Sequence, residues 1–467
     1  PESGRVREIA CGRGETRLKT EGMLVEDQRL ADAVECALRC GAVEAEALEA
    51  TSRSFEVEVS RGEIETLASA TARGMGVRLF TPDKRMGFAY TTASDEPVET
   101  TVRNAWNNAA SNDPEPHGGI CRETGLLDVD WSAQAPASVP VETRIAFAKD
   151  LERATLAADP RITMVERATY SDSLVDFALV NSAGVRRRYR NAYFSCSADA
   201  VAAREGVDSE NGWEFDLAST FDGLRPEWVA RSCAQDATRK LGGKPCATGA
   251  MPVVLDRAVA TRFLALLASA FRADNVLKGK SLFAGRAGES VGADCITIVD
   301  QNDCLEAVGR APFDGEGTPA RRTVLVEKGC LRGYLHNVQT ASEMGEMPTA
   351  NAARGFSSPP EVGPSNLFIA PGVAAQDDLF AKASRGLYVT QALGMHSANP
   401  ISGDFSFGVT GLLFEAGELT TPVRGVTIAG NLRPLLNAVA AVGNDLRFLG
   451  SCGAPSLLIS ELVVSGE

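Results

Sequence analysis

Helical and strand-like patterns of apolar residues alternate in the first half of the chain. The spacing of Leu30, Val34 and Leu38 places them on one face of a predicted helix that ends at Gly41. Residues 54–60 then alternate strictly between apolar and polar side chains, which is typical of a half-buried strand. Further elements are expected to be strands at 76–80 and 87–92, joined by a turn, and a helix that carries Val102, Trp106 and Ala109.

The same order of helix and strands repeats further along. An amphipathic helix around Ile145, Ala148 and Leu151 follows a polar, proline-bearing stretch at 111–140 for which no element is predicted. The remaining elements of this repeat are expected to be strands near 162–170 and 174–180, a turn at 181–184, a third strand at 193–197 and a helix at 226–241. Helices that recur between strands in this way predict helices packed on a largely antiparallel sheet.

Short strands and turns dominate the second half. A strand at 252–255 and a helix from about Asp256 open it. Two plain hairpins follow, with turns at Lys328-Gly329 and Ala416-Gly417, and one helix is expected after Asn431. This pattern predicts a mainly antiparallel β, barrel-like domain.

These changes of pattern divide the chain into three segments. Residues 1–22 are polar and without clear periodicity, so we interpret them as an upstream extension or an expression-derived segment and leave them out of the fold. Residues 23–245 are expected to form the N-terminal α+β domain, and 242–250 is the best linker candidate. Residues 246–467 are expected to form the C-terminal β-rich domain, so that the fold class is α+β with two domains.

Composition narrows the classes of protein that remain. With 467 residues, of which 44% are apolar and 23% charged, the chain is that of a globular protein with more than one core. A formal net charge of −14 disfavours nucleic-acid binding. No stretch supplies the roughly 18 unbroken apolar residues of a membrane span, so we expect neither a nucleic-acid nor a membrane partner.

The 11 cysteines are odd in number and lack the spacing of a disulfide framework. Without a signal-like segment at the start, this pattern predicts reduced thiols and a cytoplasmic location. Cys36 and Cys40 share a predicted helix face, but no second pair completes a zinc site, so packing is the favoured interpretation.

Local spacing does not assemble a catalytic centre. The three histidines are His117, His336 and His396, and none lies near another in the sequence. A zinc hydrolase needs three protein ligands, and convergence of His336 and His396 with Cys452 is the alternative that stays open. The nucleophile-elbow and nucleotide-phosphate motifs are missing, so no catalytic residue is assigned.

One loop, at 393–408, is rich in side chains that could contact a ligand. Glycine, proline and small polar residues surround a histidine and a carboxylate there. The alternative is that Asp404 only caps a turn through local backbone N–H groups. We therefore expect a substrate or interface cleft rather than bond cleavage, formed by His396, Asn399, Ser402, Gly403, Asp404 and Ser406.

Several long segments resemble the TldD/PmbA family in order along the chain. The clearest are N-P-I-S-G-D-F-S-F-G-V-T-G-L-L-F-E-A-G-E-L at 399–419, P-V-R-G-V-T-I-A-G-N-L at 422–432 and V-G-N-D-L at 442–446. Earlier segments agree, namely E-V-E-V-S-R-G-E-I-E at 56–65, K-G-K-S-L-F-A-G-R-A-G-E at 278–289 and H-N-V-Q-T-A at 336–341.

The resemblance implies a role beside a zinc enzyme. TldD-like members carry His-Glu-x-x-x-His on the helix just before the 278–289 segment, but the equivalent helix here, residues 257–272, has no histidine or glutamate. A C-terminal cysteine near the place of Cys452 is a further ligand in TldD-like members, and one soft ligand cannot hold catalytic zinc. The chain therefore resembles the PmbA branch, also called TldE.

Members of that branch are expected to lack a cofactor of their own. The resemblance implies a non-catalytic or regulatory subunit that pairs with a TldD-like zinc-binding subunit, or with itself, and acts on unfolded peptides. A strand added to a sheet edge would grip such a peptide. The alternatives are a protein-binding modulator of DNA gyrase, which an older family name suggests, and a stand-alone homodimeric peptide-binding protein.

Overall fold

The computed structural model describes residues 26–204 and 208–466, so the predicted extension at 1–22 lies outside the described residues. The strands of the N-terminal half are β1 (Glu44–Ser60), β2 (Glu63–Phe80), β3 (Met86–Thr91), β4 (Gly125–Asp130), β5 (Ile162–Asn181), β6 (Val185–Arg204) and β7 (Asp208–Ala218). Its helices are α1 (Glu26–Arg39), α2 (Val98–Ala109), α3 (Val141–Ala157) and α4 (Pro226–Thr238).

One sheet organises this half, in the order β3-β2-β1-β5-β6-β4. β7 also pairs with β6, antiparallel along 194–204, whereas β4 runs parallel to the first part of β6, at 185–190. All other neighbours in this sheet are antiparallel. The predicted sheet of largely antiparallel strands is confirmed.

The helices cover one face of that sheet. Val57 of β1 packs with α3 and α4, and Ala47, on the same face of the same strand, packs with α1 and α2. Leu30 and Val34 lie in this core as predicted, but Leu38 is exposed because the buried face of α1 continues through its alanines instead. The residues between the helices and the sheet therefore form the core of an α+β layer.

Two predicted strands prove to be one. Residues 162–170 and 174–180 both belong to β5, which continues through the polar residues between them. Asp172 is buried there because the Arg144 guanidinium lies 3.1 Å from its carboxylate and the Tyr170 hydroxyl donates to it at 2.9 Å. A strand can continue through a buried polar residue when a helix packed on the sheet supplies partners for the polar group.

The C-terminal half, as described up to residue 466, is built from many short strands and five α-helices. Its strands are β8 (Gly249–Leu255), β9 (Ile298–Gln301), β10 (Arg322–Glu327), β11 (Cys330–Leu331), β12 (Ala352–Ala353), β13 (Glu361–Val362), β14 (Leu367–Ile369), β15 (Arg385–Leu393), β16 (Asp404–Glu415), β17 (Glu418–Asn431), β18 (Val439–Val442), β19 (Arg447–Leu449), β20 (Cys452–Ala454) and β21 (Leu457–Ser465). Its helices are α5 (Arg257–Leu267), α6 (Ala273–Leu277), α7 (Val338–Met344), α8 (Gln376–Ala383) and α9 (Leu432–Asn437). Within the described ranges, no helix is long and apolar enough to cross a bilayer.

Five of these strands close into a barrel. They follow the order β17-β16-β15-β8-β21, and β17 pairs again with β21. A second sheet, β11-β10-β9-β14-β20-β19, lies beside the barrel, and α5 packs between the two. Phe263 of α5 contacts the rings of Phe405 and Phe407 on β16, which fixes the helix against the barrel. The predicted barrel-like domain is confirmed.

A buried ion network joins the two halves. Glu46 and Arg78 stand opposite each other on β1 and β2, and Arg78 Nε lies 2.8 Å from the Glu46 carboxylate. Arg78 Nη2 also reaches Glu316 at 2.8 Å, and Arg354 pairs with Glu46 from the C-terminal half. Removing one member of a buried ion pair typically costs about 3–5 kcal/mol, because the other charge is left unpaired. The network therefore fixes how the halves sit together.

Candidate functional site

A cleft of about 610 Å³ opens where two parallel strands end. β8 and β15 lie side by side, with Leu255 opposite Val389, so their carboxyl ends meet at one edge. α5 starts directly after β8, and Gln391 continues β15 along the cleft. β7 and α4 of the N-terminal half supply the opposite wall. Crevices at the carboxyl ends of parallel strands are common ligand sites, so we take this cleft as the candidate site.

A chain of hydrogen bonds organises the barrel side of the cleft. The Tyr388 hydroxyl donates to Asp256 at 2.5 Å, and the Gln376 amide donates to Tyr388 at 2.9 Å and to Ser456 at 3.2 Å. Ser456 in turn donates to Asp445 at 2.8 Å. Burial raises the pKa of Tyr388, and the neighbouring Asp256 charge raises it further, so this phenol stays a donor.

Arg447 of β19 connects the two walls. Its guanidinium lies 2.7 Å from the Glu214 carboxylate of β7 and 4.2 Å from the centre of the Phe215 ring. Trp213 stacks on the same Phe215 ring, and the two ring centroids are 5.0 Å apart. Burial lowers the pKa of Arg447, Glu214 opposes this change, and the charge of Arg257 adds to it. One side chain therefore holds an ion pair and an aromatic contact across the cleft.

The end of α4 contributes a second ion cluster. Arg239 lies 2.8 Å from Asp236 and 5.7 Å from the centre of the Tyr388 ring. Lys240, which is 1% exposed, donates to the same Asp236 carboxylate at 2.9 Å. The Asp236 charge is thus shared between two cations and is not available to a ligand.

Arg257 and Arg262 of α5 face the cleft without such partners. Arg257 is partly buried in the first turn of the helix, and Arg262 is exposed one turn further on. Within the described part of the chain, neither guanidinium has a hydrogen bond or an ion pair with another side chain. The cleft therefore offers free cationic donors beside a fixed network of bonded groups.

The residues around α5 do not fit a catalytic zinc ion. The helix contains no histidine, cysteine, aspartate or glutamate. Cys452 lies below it in the apolar core with Val259 and Phe263, where burial and the neighbouring Asp300 raise the pKa of the thiol to about 11. A metal ligand must be a thiolate, which such a site disfavours. Among residues 26–204 and 208–466, no three His, Cys, Asp or Glu side chains are placed to hold a metal ion.

The predicted loop at 393–408 connects β15 to β16 and forms a bonded turn. The Asn399 side chain accepts the backbone N–H of Ser402 at 3.1 Å, and the Ser402 hydroxyl donates to Asp404 at 2.7 Å. Asn431 donates to the other Asp404 oxygen at 2.8 Å. These hydrogen bonds lower the pKa of Asp404, and Gly403 adopts a φ of +84° between them. The Asp404 carboxylate therefore accepts side-chain donors rather than the local backbone N–H groups expected of a cap, and Asn399 is the residue that accepts backbone N–H groups in this turn.

The other two predicted loop residues stand outside that turn. His396 is exposed in a short helical turn, and Ser406 is exposed on β16. The loop begins two positions after Gln391, which lines the cleft, so it continues from the rim of the cleft to the surface. The structure thus brings four of the six residues together, and their role in substrate or partner contact stays a prediction.

The remaining histidines lie elsewhere in the fold. His117 is exposed in its loop, 3.5 Å from the Ser342 hydroxyl. His336 is 3% exposed, with its backbone bonded to Thr349 and its ring Nδ1 buried without a partner among the described residues. The metal site considered for His336, His396 and Cys452 is not formed in the described chain.

Sequence reasoning did not single out the cleft. Asp256 is recognisable only as the start of a helix, and Tyr388, Arg239 and Arg447 come from elements that are far apart in the sequence. The one local signal of a site in this region was the position of Arg257 and Arg262. They lie on the helix to which the family resemblance assigns metal binding in TldD-like members. Their position at a cleft required the fold.

Comparisons with known proteins agree with this architecture. Three models of the PmbA/TldA metallopeptidase family match consecutive parts of the chain: domain 1 at 45–109, the central domain at 134–241 and the C-terminal domain at 248–466. Among solved structures, a proposed modulator of a DNA gyrase from Thermotoga maritima has a TM-score of 0.87 at 26% identity and covers 94% of this chain and 100% of its own. TldE from Thermococcus kodakarensis has a TM-score of 0.84 over 94% and 100% of the two chains, and at 22% identity it supports the fold alone.

Named relatives match over nearly the full length. Metalloprotease PmbA from Escherichia coli O157:H7 is 28% identical over 451 residues, which is 95% of this chain and 98% of the relative. A metalloprotease TldD homolog from Haemophilus influenzae is 26% identical over 423 residues, 84% of this chain and 87% of its own. The chain belongs to the PmbA/TldD metallopeptidase family, in the PmbA branch that is also called TldE.

Proposed function

We propose that this chain is the non-catalytic or regulatory subunit of a TldD/TldE-type zinc metallopeptidase that degrades or processes unfolded peptides and small proteins. One observation carries the proposal: α5, where TldD-like members have their zinc motif, presents Arg257 and Arg262 to the cleft instead of metal ligands. Zinc would then be supplied by a TldD-like partner in a heterodimer.

The cleft has the size and chemistry of a peptide site. Its volume of about 610 Å³ falls within the range of small-ligand sites, roughly 300–1,000 Å³. Trp213, stacked on Phe215, offers an exposed apolar face beside polar groups that are already held in place. Such a surface can receive varied side chains while fixed donors orient the peptide.

The loop at 393–408 is our candidate for contact with substrate or partner. Leu393 and Ile401 are each more than half exposed there, beside the polar turn around Asp404. An apolar pair next to bonded polar groups is typical of the composition of protein interfaces. His396 and Ser406 are exposed on the same segment and are therefore included in the proposed contact.

We also propose a cytoplasmic location. The ten cysteines within the described residues are all free thiols. Free thiols persist in reducing compartments, whereas oxidising compartments favour disulfides.

Reconstitution with a TldD-like chain from the same genome tests the subunit role. We expect the two purified chains to form a heterodimer by light scattering and to cleave an unfolded protein substrate only together. The matched control is the TldD-like chain alone in the same buffer and zinc concentration. Peptidase activity of this chain alone, in a metal-free preparation, would contradict the proposal. A stable homodimer that ignores the partner would favour a stand-alone peptide-binding protein.

A second candidate function is modulation of DNA gyrase. It is favoured by the description of the Thermotoga maritima structure and of a similar one from Bacteroides thetaiotaomicron. A net charge of −14 permits a protein contact with the enzyme more readily than contact with DNA. Titrating this chain into a gyrase supercoiling assay tests it, and an unchanged rate of supercoiling would count against it.

A further inference from the structure

The carboxylates that line the cleft are all occupied. Each accepts a hydrogen bond or an ion pair from a neighbouring protein group. Five such residues line the cleft, and they are Asp199, Glu214, Asp236, Asp256 and Asp445. The closest of these contacts is the 2.5 Å bond from Tyr388 to Asp256. Asp199, Glu214 and Asp236 pair with arginine or lysine side chains, whereas Asp256 and Asp445 accept hydrogen bonds from hydroxyl and backbone groups. All five carboxylates therefore have bonded partners within the protein.

The arginines of the cleft divide into two classes. Arg239 and Arg447 are held by Asp236 and Glu214 at 2.8 and 2.7 Å. Arg257 and Arg262 have no carboxylate partner among the described residues. The guanidiniums that the cleft leaves without a carboxylate partner are thus those of Arg257 and Arg262, although five carboxylates line the cleft and the whole chain carries a formal net charge of −14.

A like charge stands next to one of the free guanidiniums. Burial lowers the pKa of Arg447, and the positive charge of the neighbouring Arg257 lowers it further. Two neighbouring cations at a partly buried position repel each other. An anion bound on their solvent side would offset this electrostatic repulsion. Glu214 pairs with Arg447 at 2.7 Å, whereas Arg257 has no carboxylate partner among the described residues, so an anionic ligand is free to pair with Arg257.

We propose that Arg257 and Arg262 bind a carboxylate of the peptide held in this cleft, the free carboxylate at its carboxyl terminus. A guanidinium matches a carboxylate through two parallel N–H donors, which makes arginine the preferred residue for this contact. The Trp213 ring, which is 42% exposed, lies in the same cleft, where it can contact the last side chains of that peptide. This inference rests on the proposed function, because it names the part of the peptide that the cleft recognises.

Binding of short peptides to the purified chain tests the inference. The probe is one unfolded tetrapeptide without acidic side chains, prepared with a free carboxyl terminus and as its carboxyl-terminal amide, and its affinity is measured by isothermal titration calorimetry. We expect the free acid to bind at least about tenfold more tightly than the amide, as for loss of one charged hydrogen-bonded contact. The difference in affinity between the free acid and the amide should shrink at high salt, because exposed charges are screened.

A second pair of peptides separates the two sources of a carboxylate. An amidated peptide with glutamate as its last residue presents only a side-chain carboxylate. If it binds as weakly as the neutral amide, the carboxyl terminus is recognised as proposed. If it binds as tightly as the free acid, a side-chain carboxylate suffices and recognition of the terminus is overturned.

Matched variants locate the contact. Arg257→Gln and Arg262→Gln should each reduce the preference for the free acid by about tenfold, and Arg257→Lys should keep part of it. Arg332→Gln is the control, since Arg332 is half exposed and pairs with Glu327 outside the cleft. Thermal unfolding of each variant shows whether it is folded, and Arg262 is exposed enough for its replacement to leave the fold intact.

Three results would overturn the inference without touching the subunit role. Equal affinity for the acid and the amide, or an unchanged preference in both glutamine variants, would show that no carboxylate is bound at Arg257 and Arg262. Absence of any peptide binding by the isolated chain would also contradict it. Formation of the heterodimer and its joint activity are measured separately, so failure there would contradict the proposed function instead.

Discussion

Buried polar side chains in this protein take partners from distant parts of the chain. Asp172 is held by Arg144 of a helix, and Glu46 by Arg78 of the neighbouring strand and Arg354 of the other half. Each pair satisfies groups that would be costly to bury alone. His336 has no such charged partner, and its ring Nδ1 is among the polar atoms that are buried without a hydrogen-bond partner in the described residues.

His336 should make stability depend on pH. Burial lowers the pKa of His336 below its usual value of 6.5, so the folded protein binds this proton less readily than the unfolded chain does. The contribution of His336 to the free energy of unfolding should therefore fall as the pH falls below about 6.5, by up to about 1.4 kcal/mol per pH unit until the folded-state pKa is reached. Urea unfolding at several pH values between about 5 and 8 measures this change.

Two variants isolate that contribution. His336→Asn should remove this contribution, so that the variant loses less stability than the parent as the pH falls, whatever its effect on stability at neutral pH. His396→Asn, at an exposed position, should leave the slope as it is in the parent chain. Equal slopes for the parent and His336→Asn would show that burial of this imidazole does not disfavour its charged form.

Local sequence signals predict single elements well and their pairing poorly. The turns at Lys328-Gly329 and Ala416-Gly417 are formed as expected, and all four residues have positive φ between 47° and 83°. The division of β5 was wrong because Asp172 is buried, which only the helix above it explains. β4 was missed in a polar stretch because it forms by parallel pairing with a distant strand.

Close approach of two barrel strands makes one glycine of β16 irreplaceable. A Cβ on Gly411 would lie 2.0 Å from the carbonyl oxygen of Tyr388 on β15. Gly411→Ala should therefore lower the free energy of unfolding by more than about 2 kcal/mol, because the strands must separate. Denaturant unfolding measures this, and peptide affinity should fall as well, since Tyr388 lines the cleft.

The same strand provides the control. Gly408 has open space where a Cβ would be, so Gly408→Ala should change stability by no more than about 1 kcal/mol. If Gly411→Ala and Gly408→Ala were equally stable, the close contact between β15 and β16 would not constrain the barrel.

On the scale of the whole molecule, the candidate site is a product of the assembled fold. The cleft needs β7 and α4 from one half and α5, β15 and β19 from the other, and the network around Glu46 and Arg78 helps to fix the two halves. The sequence could predict the fold class and the family, since these depend on periodicity and on long matching segments. It could not predict the cleft, which depends on contacts between residues far apart in the chain. The division at residues 245 and 246 and the role of the loop at 393–408 stay predictions.

The metal content of the purified chain tests the central claim most directly. After dialysis against trace zinc, elemental mass spectrometry should find less than about 0.1 equivalent of zinc per chain, because α5 offers no ligand and Cys452 is buried in the apolar core. The TldD-like partner, treated in the same way, is the positive control. Near one equivalent of zinc in this chain alone would contradict its assignment as the non-catalytic subunit.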